Sequence, residues 1–346
     1  MHRKYSLRLF LWALVCLIGS RCNKSFNPSA SGNATQTLES LRQIDDYPVY
    51  TMIYSGDYGF SKYLKTGSMQ FPVSQQAGLE RGEKWGCSCF AALSQGVEKT
   101  FGRNFDWTNR ASLVLFTDPP EGYASVSVVD LVFLGYSANP NLNSIDDRER
   151  LLGAPYFSLD GMNEKGVAIG MMAIPTARSP YDPSKISIGE LQVIRLVLDY
   201  AATVQEAVRL IGQYNIEMAQ PPIHYLIADR TGNSATVEFL NGTMQVIQNK
   251  VPWQVSTNFN LTGSGALTDY RQADCWRYKI LWSELEKAGG CIKAEQGMQL
   301  LQNVSQTFST GGTMWSAVYA ISSGHMLFVP GRKYGSVKQF ILKMNP

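Results

Sequence analysis

Histidine is scarce in this chain. Only three of its 346 residues are histidine, and His2 belongs to a basic start. His224 and His325 lie in apolar, strand-like runs. A lone histidine in such a run is more often structural than catalytic, which weakens any cysteine–histidine pair as the source of nucleophilic chemistry. Cysteine is scarce too: Cys16, Cys22, Cys87, Cys89, Cys275 and Cys291 are too few for a disulfide scaffold. Cys275 and Cys291 read as buried thiols rather than a bridge, although an exported chain would permit one. A Cys-x-Cys metal site at Cys87 and Cys89 needs further ligands at sensible spacing, and none stands nearby. A redox pair would normally carry two intervening residues, and this pair has one. Charge of one sign is also missing. The formal charge is +3, and the first 22 positions hold four basic residues (Arg3, Lys4, Arg8, Arg21) and no acidic ones; the rest carries 27 basic against 28 acidic residues. Such a balance leaves no electrostatic footprint for nucleic acid. No internal repeat is present.

Long apolar runs are confined to the start. The run Leu9–Ile18 follows the basic residues and precedes Gly19 and Ser20. It is short for a membrane span and has the pattern of a signal peptide over 1–22. The chain is therefore expected to be exported, periplasmic or extracellular. Arg21 stands where lipidation of Cys22 would want a small residue, which argues against an anchor there. Residues 23–35 are small and polar and read as a flexible lead. Thr37–Ile44 reads as a short helix, and "YPVYTMIYSGDYGF" (47–60) as a hairpin turning at Ser-Gly-Asp.

From residue 87 strands dominate. "CSCFAAL" and "KTFGRNFDW" pair as a hairpin, and "SVSVVDLVFLGY" (125–136) reads as one long buried strand. Residues 156–175 read as strand, turn, strand, with Gly166 taking a positive φ. Two helices follow, one opened by Ser187 and Glu190, the other by Thr203 and Glu206, both at capping-box spacing. Residues 224–249 form a three-strand meander. Two helices, 275–290 and 293–304, precede a return to strands. Strands, paired helices and strands again predict an α+β sandwich of antiparallel sheets with helices outside.

The stretch "EKWGCSCFAALSQGVEKTFGRNFDW" (83–107) places a cysteine beside no histidine. It has another route to activation. Cut before Cys87, the chain would give that residue its own base. An α-amine titrates near 7.7–8.0 and a thiol near 8.5, so the neutral amine can take the thiol proton. Gly86 suits a cut, having no side chain to shield its carbonyl.

"GCSCF…FGRNFDW" resembles the choloylglycine hydrolase superfamily of N-terminal nucleophile (Ntn) hydrolases, over most of residues 36–346. That superfamily includes bile salt hydrolases, penicillin V acylases, acid ceramidase, N-acylethanolamine acid amidase and isopenicillin-N acyltransferase. The resemblance implies an αββα sandwich of two antiparallel sheets flanked by helices. It makes Cys87 the nucleophile and not Cys89, freed by autocleavage between Gly86 and Cys87. Arg103 then neighbours the thiol, and Asp106 holds the free α-amine. "VSTNFN" (255–260) implies Asn258 as the oxyanion-hole amide, and "ADCWRYKIL" (273–281) implies Arg277 as its support. "DGMNEKGVAIGMMAIP" (160–175) implies the backbone N–H of Ala173 as the second oxyanion donor. Bile salt hydrolases carry an asparagine at that last place, so Ala173 removes a polar contact and favours lipid-like N-acyl amides over conjugated bile salts. The resemblance also implies that residues 23–86 are retained as an α-fragment beside a catalytic domain 87–346, and that no metal or cofactor is required.

The function expected is an exported, self-processing cysteine amidase acting on a small-molecule N-acyl amide. An acyltransferase, or an inactive binding protein on the same scaffold, is the alternative. Phe90, Trp107 and the aromatic segment 47–63 either line an apolar pocket or are plain core. A homo-oligomer and proximity to a membrane or lipid surface both remain open.

Overall fold

The computed structural model describes residues 34–69, 86–108, 110–309 and 311–345. The signal peptide, Cys22 and most of the polar lead lie outside the described residues, as does the connection 70–85.

In chain order the first elements are α1 (Ala34–Glu39), β1 (Arg42–Asp45), β2 (Val49–Tyr54) and α2 (Phe60–Thr66). Then come β3 (Gly86–Ala92), β4 (Thr100–Thr108), β5 (Ser112–Thr117), β6 (Ser125–Asp130), α3 (Ile145–Arg148), β7 (Ser158–Asn163) and β8 (Val167–Ala173). The middle of the chain forms β9 (Ser187–Gly189), α4 (Gln192–Tyr200), α5 (Val204–Ile211), β10 (Asn215–Glu217), β11 (Ile223–Asp229), β12 (Ser234–Leu240), β13 (Thr243–Gln248) and β14 (Trp253–Ser256). The last elements are α6 (Trp276–Lys287), α7 (Ala294–Asn303), β15 (Thr307–Phe308), β16 (Gly311–Ala320), β17 (His325–Pro330) and β18 (Lys338–Ile341).

Apolar residues on both faces of the strands dictate layers. Among the described residues, one sheet has nine strands in the order β1-β2-β5-β6-β7-β8-β11-β12-β13. A second runs β14-β3-β4-β16-β17-β18, with β15 on β16. Neighbours in both are antiparallel except β2 and β5, which run parallel. The facing sides share one core that includes Cys89, Phe101, Phe105, Met172, Leu226 and Trp315. Helices α6 and α7 cover the smaller sheet over a second core of Phe90, Leu281, Leu301 and Val318. Helices α4 and α5 pack against β7, β8 and β11 of the larger sheet. This is the αββα sandwich expected. Each large apolar side chain buried in these layers contributes roughly 1.5–3 kcal/mol, and every residue of β3 is buried.

Several local expectations are corrected. Residues 37–44 are not one helix: α1 ends at Glu39, and Arg42–Asp45 pairs with β2. The hairpin near residue 50 turns at 46–48, not at Ser-Gly-Asp. Gly56 and Gly59, both at positive φ, instead steer the chain into α2, whose Phe60 and Tyr63 pack on Tyr156. The strand from Ser125 stops at Asp130, whose carboxylate accepts the Val132 N–H and caps a 3-10 turn. Ser187 and Glu190 open no helix. Ser187 pairs with Asn215 in a small parallel sheet, and the Glu190 carboxylate accepts the Ala219 N–H at 2.9 Å. The Thr203–Glu206 start does form, with Thr203 Oγ1 accepting the Glu206 N–H. Gly166 turns β7 into β8 at φ 78°. Cys275 and Cys291 are unpaired, and they are not buried: the first is half-buried and the second exposed at the start of the α7 approach.

The N-terminal segment belongs to the larger sheet. β2 lies along the whole of β5, and Met52, Tyr58 and Phe60 join the central core. Tyr58 donates its hydroxyl to Asp199 at 2.6 Å, where Asp199 also meets Arg195 at 2.8 Å.

Candidate active site

The β3–β4 hairpin carries the candidate nucleophile. Its register sets Gly86 against Asp106, Cys87 against Phe105 and Cys89 against Arg103. Side chains alternate across a strand, so Cys87, Cys89, Arg103, Phe105 and Trp107 share the face between the sheets. Phe90 points the other way. It fills the space left by Gly102 and reaches Gly297 under α7. Phe90 is therefore helix-side core and not pocket lining. Trp107 stays on the thiol's face, stacked on Phe105 at 5.8 Å, which in turn stacks on Trp315 at 4.3 Å. The segment 47–63 packs with the larger sheet as core.

Polar side chains converge on the main chain of Cys87. Its N–H donates to Asn258 Oδ1 at 2.6 Å. Arg277 Nη1 donates to the Cys87 carbonyl and to Ser88 Oγ, the latter at 3.0 Å. Arg277 Nη2 donates to Asn258 Oδ1 at 2.8 Å, and Asn258 Nδ2 donates to the Ala173 carbonyl at 2.7 Å. Two donors on its oxygen and a carbonyl before its nitrogen fix the Asn258 amide in one orientation.

Asp106 stands on the other side of the same peptide. It is fully buried and accepts Thr313 Oγ1 at 2.6 Å and Gln306 Nε2 at 2.5 Å. Arg277 Nη1 lies 3.8 Å away. A Cβ placed on Gly86 would stand 3.2 Å from Asp106 Oδ2, so the carboxylate faces the peptide that precedes Cys87. Arg103 and Asp106 do not pair with each other.

Arg103 forms a separate buried node. Its Nε lies 3.3 Å from Asp160 Oδ2, and its Nη1 is 3.8 Å from Cys89 Sγ. Burial opposes its charge, but Cys87, Cys89 and Asp160 outweigh burial and hold the guanidinium above its usual range. Asp160 is held by Trp315 Nε1 at 3.0 Å and by the Tyr319 hydroxyl. Cys89 is walled in: a Cβ on Gly170 would stand 2.9 Å from its sulfur. Burial pushes its thiol up to about 12 despite the pull of Arg103. Cys89 is thus protonated and enclosed at neutral pH.

Ala173 takes part through its carbonyl. Its side chain, however, lies three residues from Gly170, which faces Cys89, and so on the opposite side of β8 with Met171, Ile223 and Tyr225. The expectation that this side chain borders the scissile amide is therefore corrected: the position's alanine reflects packing toward the α4 layer.

Sequence reasoning missed the supports. Gln306, from the connection after α7, and Thr313, from β16, hold Asp106. The loop bearing Asn258 is clamped by His224, whose Nε2 meets the Thr257 carbonyl at 2.7 Å. Glu238 meets His224 Nδ1 at 3.2 Å and accepts Leu261 and Thr262 N–H groups at 2.6 and 3.0 Å. Burial works to raise the Glu238 carboxyl, and His224 with these two N–H groups holds it below its usual range instead. A buried acid and a histidine on facing apolar strands were the available signal. The structural reading of His224 agrees with this clamp.

Comparison with known proteins is consistent with the geometry. The model of the linear amide C–N hydrolases, choloylglycine hydrolase family, matches residues 87–262 and so begins at Cys87. Penicillin V acylase of Pectobacterium atrosepticum is 26% identical over 170 residues, which cover 45% of this chain and 44% of that protein. The match thus spans less than half the length of that curated relative. Among solved structures, a mutant conjugated bile acid hydrolase from Clostridium perfringens aligns with a TM-score of 0.56 at 16% identity, covering 75% of this chain and 93% of that one. Penicillin V acylase from Agrobacterium tumefaciens aligns at 0.54 with 19% identity, covering 74% and 86%. At these identities the two structures establish the fold.

Proposed function

The chain belongs to the choloylglycine hydrolase family of linear amide C–N hydrolases, and we propose that it is an exported, self-processing cysteine amidase of that family. One observation carries the reading: the main-chain nitrogen of Cys87, the atom that cleavage would free, is already gripped by Asn258 within a cluster that includes Arg277 and Asp106.

Maturation starts with attack of Cys87 Sγ on the Gly86 carbonyl carbon. The C–N bond breaks and the nitrogen gains a proton. Water then adds to the thioester, releasing the Gly86 carboxylate and returning the thiol. In the mature site the free amine takes the thiol proton, and Cys87 Sγ attacks the substrate carbonyl. Asn258 Nδ2 carries a second hydrogen for the developing oxyanion, and the Ala173 N–H is the second donor; such donors supply about 3 kcal/mol each. The amine passes its proton to the leaving amine, and water frees the acyl group.

On this reading the buried aromatic stack of Phe105, Trp107 and Trp315 on the thiol's face would be the shelf for an apolar acyl group. It favours a lipid-like or aromatic N-acyl amide over a polar one. The names of the similar proteins, penicillin V acylase and conjugated bile acid hydrolase, sit within the same reaction class. The N-terminal segment stays bound after the cut, because β2 and α2 are built into the larger sheet and core.

Intact mass of the purified protein tests this. A fragment of about 28 kDa beginning at Cys87 is expected without added protease. An uncut chain with full amidase activity would refute the reading.

A further inference from the structure

Gly86 has a reason to be glycine beyond leaving its carbonyl open. A Cβ at this position would overlap Gln306 Nε2 well inside van der Waals contact. Flexible side-chain ends usually give way cheaply, but this one is committed. Gln306 Nε2 donates to Asp106 Oδ2 at 2.5 Å. The Gln306 main chain is fixed as well: its N–H donates to Thr313 Oγ1 at 2.9 Å, and its carbonyl accepts the Thr313 N–H at 3.0 Å. The side chain can therefore yield to a larger residue at 86 only by leaving the carboxylate.

We infer that Gln306 is a positioning residue for self-cleavage, coupling the glycine before the nucleophile to the orientation of Asp106. The inference rests on the self-processing reading and specifies what that step requires. Asp106 has one oxygen on Thr313 and the other on Gln306, so losing Gln306 frees the carboxylate to rotate. The scissile nitrogen leaves as an amine and needs an anion held in place beside it. Gly86 and Gln306 then act through one contact, not two.

A double-mutant cycle on the full chain tests this, read as the rate at which the Cys87 fragment appears. Gly86→Ala and Gln306→Ala are each expected to slow cleavage by about tenfold or more, the cost of losing one hydrogen bond to a charged group. The double variant is expected to be about as slow as Gln306→Ala alone, because the overlap with the Gln306 amide is gone and the methyl keeps only the 3.2 Å contact with Asp106 Oδ2, which the freed carboxylate can relieve by rotating. Gln306→Met keeps the bulk without the donor. It should be slow by itself and slower again with Gly86→Ala. Thermal melting of each uncut variant separates slow cleavage from misfolding, and the Met variant preserves packing if Ala does not fold. A wild-type chain that cuts itself while the Gly86→Ala and Gln306→Ala effects multiply would overturn this inference alone. Cleavage of Gln306→Met at the wild-type rate would do the same. A wild-type chain that never cuts would remove the self-processing reading and this inference with it.

Discussion

Replacing Asp106 by asparagine keeps the shape of the site and removes one charge. Its effect can be worked from the contacts. Thr313 Oγ1 can still donate to the asparagine oxygen, but Gln306 Nε2 would then face an NH2 group instead of an acceptor. One mismatched buried contact costs about 1–3 kcal/mol, which a domain stable by 5–15 kcal/mol survives. The catalytic effect is larger and has a definite sign. Two unit charges 4 Å apart at an effective dielectric of 20 interact by about 4 kcal/mol. Even a third of that raises the pKa of a neighbouring ammonium by about one unit. Without the carboxylate the amine's pKa falls. Because the neutral amine is the base, activity rises with pH through that pKa, so the acidic limb of kcat/KM should move down by about one unit. The rate on the plateau should drop by about a hundredfold, since the amine loses both its orienting hydrogen bond and its balance of basicity. The assay is a pH–rate profile on an N-acyl amide, with a specific protease site ending at residue 86 supplying the cut if the variant does not cut itself. Wild-type rates, or an acidic limb that stays put or moves up, would show that Asp106 does not hold the amine.

Cys87→Ala should abolish both processing and hydrolysis, whereas Cys89→Ala should retain both, since its enclosed thiol carries no thiolate at neutral pH; fragment mass and amidase rate decide. Phe90→Ala should lower stability by about 3–5 kcal/mol in urea unfolding while leaving kcat of the residual folded enzyme near wild type, because the ring fills the α7 side of the sheet. A drop in kcat/KM confined to apolar acyl groups would return Phe90 to the pocket. Processed enzyme should prefer a fatty N-acyl amide to a glycine- or taurine-conjugated bile acid in kcat/KM. Trp107→Ala should erode that preference, and an unchanged ratio would exclude the aromatic shelf as the acyl site.

The β3–β4 hairpin was legible because its evidence is local. Alternation at Cys87, Cys89, Arg103 and Phe105 fixes one face of a strand pair, and a turn of seven residues joins the strands. Helix α5 was legible for the same reason: Thr203 and Glu206 settle its start within one turn. Ser187 and Glu190 have the same spacing yet serve a strand and a distant N–H, since tertiary pairing with Asn215 outbids a local cap. Residues 47–60 were misread because a parallel partner, Ser112–Thr117, lies far away in sequence and leaves no turn signal. The facing of Ala173 is likewise a matter of register, which a short motif match does not carry. Gln306 and Thr313 were invisible for a further reason. They are ordinary polar residues that matter only because β4 and β16 bring Asp106 to them.

Charge balance explains how a buried site can house these groups. Asp106 and Arg277 lie 3.8 Å apart, and Arg103 and Asp160 lie 3.3 Å apart, so each buried charged group has an opposite partner. Isolated charges at such burial would cost several kcal/mol each. Freeing the Cys87 amine adds a group that would make its node positive if protonated. Desolvation and the neighbouring Arg277 both resist that charge, while Asp106 favours it. On the self-processing reading these pulls act against each other on the freed amine. Asp106 alone would favour the ammonium, which is no base. Arg277 alone would favour the neutral amine while weakening it as a base. The proposed mechanism therefore calls on both residues around one nitrogen, and the fold brings one from β4 and the other from α6 to reach it.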